Sequence, residues 1–182
     1  MPQPPKILTR QEVDGSHLFK VDRVDLEFSN GERRTYQYLK SGQTAAVIIV
    51  PMLDDKTVLL IEEFAIGLER YELGLPKGRV DPGENHIQAA NRELKEEAGY
   101  GARKLDMLSC LSQSPNYMQH QTQIVLARDL YPEKLEGDEP EPMRVCPFSI
   151  DDIPAITALE NVSEARTIAA LYMARDWMHN NA

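Results

Sequence analysis

Polar and apolar positions first alternate cleanly over residues 18–28. Val24, Leu26 and Phe28 fall on one side and Asp25 and Glu27 on the other, the period of a half-buried strand. Asn30-Gly31 follows, a strong short-range hairpin signal. Residues 32–39, with Arg33, Arg34, Tyr36 and Tyr38, read as the returning strand. That composition suits either a solvated strand or one that meets a substrate or a second subunit. Upstream, residues 6–13 suit an extended segment behind a proline-rich lead-in, with Asp14-Gly15 as a turn. After a break at Ser41-Gly42, residues 45–52 are almost all apolar and predict a central strand buried on both faces. Asp54-Asp55-Lys56 turns the chain into a further strand at 57–62, and these two strands are expected to pair as a hairpin. Residues 71–77 read as an irregular approach whose carbonyls are free to act as ligands.

The period then changes. Gly78-Arg79-Val80-Asp81-Pro82-Gly83-Glu84 is a turn-forming stretch, because proline fixes one φ and glycine frees the next. Asn85 with Gln88 forms a capping-box pattern, and Gly99 supplies a left-handed stop. Between them Ile87, Ala90, Leu94 and Ala98 make one apolar stripe, while Glu93, Glu96 and Glu97 share a neighbouring face. Like charges at i and i+4 cost roughly 0.2–0.5 kcal/mol without a cation to offset them. Arg92 and Lys95 are near, but Arg92 precedes Glu96 in the less favourable order for an ion pair. Three carboxylates on one rigid helix suit Mg²⁺ or Mn²⁺, hard ions that prefer oxygen ligands.

Downstream, residues 105–111 and 121–127 read as strands separated by Ser114-Pro115-Asn116-Tyr117. Residues 135–142 form an acidic loop whose prolines and glycine exclude a regular helix. A last strand at 144–148 precedes a short turn capped by Asp151 or Asp152 and disturbed by Pro154. Ser163 is expected to cap a final helix carrying Ile168, Leu171, Tyr172 and Arg175. The pattern is α+β: a mixed sheet with helices on its faces and an N-terminal antiparallel β-hairpin region. Residues 1–42 form the N-terminal β region and 43–182 the main domain.

Length and charge narrow the partners. A chain of 182 residues can bury a substantial core. Twenty basic against 29 acidic residues give a net charge of −9, which argues against nucleic acid and anionic membranes. Cys110 and Cys146 have no metal-ligand spacing and are expected to be buried small apolar residues in a reducing, cytoplasmic setting. No run approaches the roughly 20 apolar residues of a membrane span, and no signal core is present at the N-terminus.

The spacing Gly78-x5-Glu84-x7-Arg92-Glu93-Leu94-x-Glu96-Glu97-x-Gly99-Tyr100 resembles the box of the Nudix hydrolases, with Tyr100 where an aliphatic residue is usual. The resemblance implies the Nudix α/β/α sandwich and Mg²⁺-dependent cleavage of a diphosphate, with Mn²⁺ as a possible substitute. Nearly the whole chain is similar to the ADP-sugar pyrophosphatase group and its bacterial ADP-compounds hydrolases, notably at Val24-Asp25-Leu26-Glu27-Phe28-Ser29-Asn30-Gly31 and Leu130-Tyr131-Pro132-Glu133. That similarity implies ADP-ribose, NADH and diadenosine polyphosphates as substrates, AMP as product, and a homodimer built through the N-terminal β region.

By the same resemblance Glu93, Glu96 and Glu97, with the Lys77 carbonyl and Glu141, hold metal, while Gly78, Glu84 and Gly99 serve the motif's structure. Glu97, Glu96, Glu139 and Arg92 form the candidate catalytic set, with Glu139 as general base and Glu136, Asp138 and Glu141 as competitors for that role. Pro115 and Tyr117 stand where ADP-ribose and dinucleoside-polyphosphate hydrolases carry their markers. Arg34, Phe28 and Tyr117 are the candidate substrate contacts. Two positions depart from the ADP-ribose hydrolases: Glu63-Phe64-Ala65 stands where an arginine often follows the second central strand, and Gly74 replaces a usual glutamate, with Glu72 displaced. The alternatives are a Nudix hydrolase of another nucleotide-sugar or a nucleoside triphosphate, and, in another class, a non-catalytic Nudix-fold regulator.

Overall fold

A strand that is apolar at every position must be covered on both faces, and residues 46–51 are. In the computed structural model, which describes residues 6–13, 20–40, 45–139 and 141–181, this strand is β4 (Ala46–Pro51), buried throughout. Its side chains alternate. Ile48 and Val50 join one core with Leu60, Ile124, Leu126 and the last two helices, and Val47 and Ile49 join another with Ala90, Leu94, Val125 and Ala127. The strand is therefore the middle of an α/β/α sandwich.

The chain forms two compact units, Met1–Gln43 with Ser112–Gln121, and Thr44–Leu111 with Thr122–Ala182. In the first, β1 (Lys6–Val13), β2 (Lys20–Glu27) and β3 (Arg33–Lys40) make an antiparallel sheet in that order. The hairpin at Asn30-Gly31 is a three-residue loop: Phe28 N–H bonds Glu32 O, Gly31 N–H bonds Phe28 O, and Gly31 takes φ +83°. Val24 is buried, whereas β3 is largely exposed. Leu39 exchanges backbone hydrogen bonds with Tyr117 and Gln119. The Asp14-Gly15 turn, the Ser41-Gly42 break and the proline-rich lead-in lie outside the described residues.

In the second unit a four-stranded sheet runs β7 (Lys77–Arg79), β4, β9 (Gln121–Pro132), β8 (Tyr100–Ser112), and a three-stranded sheet runs β10 (Arg144–Ser149), β5 (Thr57–Ala65), β6 (Arg70–Gly74). β4 and β9 are parallel, with Ile48 opposite Ile124. Helix α1 (His86–Glu93) continues as a π turn at Leu94–Ala98; α2 is Ile153–Thr157 and α3 is Ala165–Asn180.

Five expectations are corrected. β4 and β5 do not form a hairpin ladder; the Asp54 turn joins them, but beyond a single bridge at Met52 and Val58 each strand pairs within a different sheet. An apolar run reports burial, not its partner. The approach at 71–77 is mostly β6 and β7, leaving only Leu75 and Pro76 irregular. Pro154 lies in the first turn of α2, where its missing N–H costs no bond. Glu164, not Ser163, caps α3, accepting from Thr167 N–H at 2.7 Å, while Ser163 donates its hydroxyl to Glu72 at 2.7 Å. Cys110 is exposed, because β8 turns it toward solvent; Cys146 is buried as expected. Among the described residues no helix is long and apolar enough to cross a membrane.

Candidate active site

The site grows from the junction of β7 and α1. Val47 and Gly78 stand opposite in the β4–β7 ladder, which sets Gly78 on the edge strand beside the buried β4. The turn after β7 is closed by Glu84 N–H to Asp81 O at 3.0 Å, with Gly83 at φ +92°. Asn85 then caps α1 by accepting from Ile87 and Gln88 N–H, and Gln88 reaches back to Asn85 N–H at 2.9 Å, the capping box expected from the sequence. Ala89, Ala90, Leu94 and Ala98 are buried and fix the helix's rotation.

The last turn is wider than an α-helix. Gly99, at φ +76°, donates to Leu94 O five residues back. This π turn carries Lys95, Glu96 and Glu97, so two of the three box glutamates stand on non-standard helix. Turns of this kind occur often at functional sites.

Arg92 is the hub of the acidic face. Its guanidinium donates to both Glu84 oxygens at 2.9 and 3.0 Å, to Glu93 at 2.9 Å, to Glu96 at 2.8 Å and to the Arg79 carbonyl at 2.9 Å. The pair with Glu96 forms despite its unfavourable order, because Glu84 anchors the same guanidinium. Arg92 lowers the Glu84 pKa, and the carboxylates around Arg92 raise its own.

Glu93 and Glu97 are otherwise placed. Both are buried, at 8% and 5% exposure. Glu93 rests on Gly78, where a Cβ would lie 2.0 Å from its carboxyl carbon. Glu97 accepts the Lys77 N–H at 2.8 Å. Burial pushes Glu93 up to about 7, against the pull of Arg92, and Glu97 up to about 8, against the pull of Lys77.

Arg92 draws Glu93 and Glu96 one way and Lys77 draws Glu97 another, so among the described residues no three acidic, histidine or cysteine side chains converge on one point. The fit to a hard cation rests on the buried pair. Two carboxylates held away from water, each raised further by the negative charge around it, are short of positive charge, and all the side-chain donors are oxygens.

Of the remaining candidates, Glu139 lies beside this face. Its carboxylate passes over Gly137, which in turn abuts the Glu96 Cβ, and its charge helps raise Glu93. Glu141 instead accepts a hydrogen bond from the Tyr71 hydroxyl. Phe28, Arg34 and Tyr117 belong to the first unit: Arg34 pairs with Glu32 at 2.8 Å, Phe28 is partly buried, and Tyr117 is 72% exposed. Lys77 adds an ammonium bonded to Glu63, and the Glu63 charge raises Glu97. The sequence pattern assigns Glu63 no role, although its place where an arginine is usual was a signal. Glu72, displaced from the usual position, is buried between Arg70 and Ser163.

The two raised carboxylates make stability depend on pH. In the folded, metal-free protein they hold protons that the unfolded chain, near 4.5, releases. Their stabilising contribution is therefore full below about pH 4.5 and is lost as pH rises through about 7 and 8. In EDTA, the melting temperature of Glu97→Gln minus that of the wild type should grow between about pH 5.5 and pH 8.5. Thermal melts across that range check it, and a difference independent of pH would contradict it.

Comparison with known proteins agrees with this geometry. The NUDIX domain model matches residues 42–171, and the model of the NudE-type Nudix hydrolase N-terminal domain matches residues 5–37. The chain is 48% identical to the ADP compounds hydrolase NudE of Escherichia coli (strain K12), over 97% of this chain and 94% of that protein. It is 27% identical to the ADP-ribose pyrophosphatase of Bacillus subtilis (strain 168), over 91% and 90%. A crystal structure of an ADP compounds hydrolase superposes with a TM-score of 0.93 at 46% identity, covering 100% of this chain and 98% of that one. With the domain model spanning most of the sequence and the box glutamates gathered at the end of one helix, the chain belongs to the Nudix hydrolase family.

Proposed function

We propose that this enzyme is a Mg²⁺-dependent pyrophosphohydrolase of ADP-linked compounds, cleaving ADP-ribose, NADH and diadenosine polyphosphates to release AMP. The observation that carries the reading is the buried Glu93 and Glu97 pair, which is short of positive charge beside an exposed acidic loop. The substrate class is supported by two relatives covering nearly the whole chain, one named for ADP compounds and one for ADP-ribose.

In this reading Glu93, Glu96 and Glu97 hold Mg²⁺, or Mn²⁺ in its place, with the Lys77 carbonyl and Glu141 as further ligands. The bound cation supplies positive charge to the diphosphate oxygens and acidifies water. Arg92 and Glu84 keep the glutamates aimed. Glu139 accepts the proton of the water whose oxygen bonds to phosphorus, while the anhydride bond breaks and the bridging oxygen leaves with the other half. Phe28, Arg34 and Tyr117 contact the adenosine side. Residues 1–42 mediate a homodimer, residues 43–182 carry the chemistry, and the enzyme works in the cytoplasm.

The test is a panel of ADP-ribose, NADH, a diadenosine triphosphate, GDP-mannose and dATP with Mg²⁺, with products identified by chromatography. AMP from the first three is the expected result. Turnover confined to GDP-mannose or dATP would overturn the substrate class.

A further inference from the structure

A helix ends with carbonyls that have no helical partner, and a buried end must find partners elsewhere. Here the box helix finds them in the stretch that leaves β9. Gly99 O accepts from Glu133 N–H at 3.1 Å and Lys95 O accepts from Leu135 N–H at 3.3 Å. Glu96 O accepts from the Lys134 ammonium. The Lys134 stem passes over Gly99, where a Cβ would meet Lys134 Cδ in ordinary contact at 3.6 Å. Lys95 Nζ bonds Glu133 at 2.9 Å beside it.

The same stretch then reaches the acidic face. A Cβ on Gly137 would lie 3.5 Å from Glu96 Cβ and 2.4 Å from Glu139 Oε2. Residues 133–139 are thus laid along the π turn, with Glu96 held at its carbonyl by Lys134 and at its carboxylate by Arg92. A cation at the negative end of the helix is also favourable.

We propose that Lys134 is a positioning residue: it clamps the acidic loop to the π turn and so sets the place of Glu139 over the metal-binding face. The catalytic consequence rests on the reading of Glu139 as base, whereas the clamp itself does not. Lys134→Met keeps the stem over Gly99 and removes the donor; Lys134→Arg keeps a donor.

Hydrogen exchange of the Glu133 and Leu135 amides, which donate to Gly99 O and Lys95 O, should quicken by about tenfold in Lys134→Met and return toward the wild-type rate in Lys134→Arg. The kcat for ADP-ribose should fall by roughly ten- to a hundredfold in Lys134→Met, with the half-saturating Mg²⁺ concentration unchanged, and recover in Lys134→Arg. Lys134→Met should lower kcat no further in a Glu139→Gln background. Unchanged exchange in Lys134→Met would overturn the clamp. Faster exchange with full kcat, or additive losses in the double variant, would overturn its role in placing Glu139. If Glu139→Gln keeps full rate while Lys134→Met loosens the loop, the base assignment falls and the clamp stands.

Discussion

Glu97→Gln is expected to reduce kcat for ADP-ribose by roughly a thousandfold or more at saturating Mg²⁺, while the protein folds and melts no lower than the wild type in EDTA. The side chain is 5% exposed, and it accepts a hydrogen bond from the Lys77 N–H at 2.8 Å. A glutamine oxygen accepts that bond equally well, so the backbone junction between β7 and the helix survives. What disappears is a carboxyl whose ionised form is already disfavoured by burial and by the neighbouring Glu93 and Glu63. Losing it relieves the metal-free protein and deprives the site of a cation ligand. Steady-state rates and circular-dichroism melts check both halves, and an active Glu97→Gln enzyme would refute the metal role.

Gly78→Ala should cost roughly a hundredfold or more in kcat/KM with a change in melting temperature of only a few degrees. The new methyl group would stand 2.0 Å from the Glu93 carboxyl carbon and 2.0 Å and 2.3 Å from its oxygens, far inside contact distance. Backbone need not move, because the obstacle is the far end of a flexible side chain. Glu93 turns away, breaking its 2.9 Å bond from Arg92 and leaving the metal face incomplete. The fold keeps its β4–β7 register and the function is lost. Calorimetric Mg²⁺ binding alongside kinetics separates this outcome from a general loss of structure. Normal activity in the Gly78→Ala variant would show that Glu93 does not need its seat on Gly78.

The parts of this site that were readable in the sequence are those fixed by local chemistry. Asn85, Gln88 and Gly99 announce a helix start and stop within a few residues of themselves, and each is found in that role. The two-sided apolar run at β4 required cover on both faces and received it. The π turn was hidden because Ala90, Leu94 and Ala98, four apart, fit either helix type. At 3.6 residues per turn each such step overshoots by about 40°, and the wider last turn brings Ala98 back into line. Choices made by distant residues were not legible. β5 takes β10 and β6 as partners instead of β4, and Ser163 leaves its cap position for Glu72. Glu63 and Lys134 reach the site from outside the box, and only the folded chain brings them to Lys77 and Glu96.

That the buried glutamates serve a divalent cation required for cutting ADP-linked diphosphates is tested most directly by following AMP release from ADP-ribose as Mg²⁺ is titrated into the metal-stripped wild-type enzyme. No AMP in EDTA and a saturable rise with Mg²⁺ are predicted, whereas AMP release at full rate in EDTA would contradict the claim.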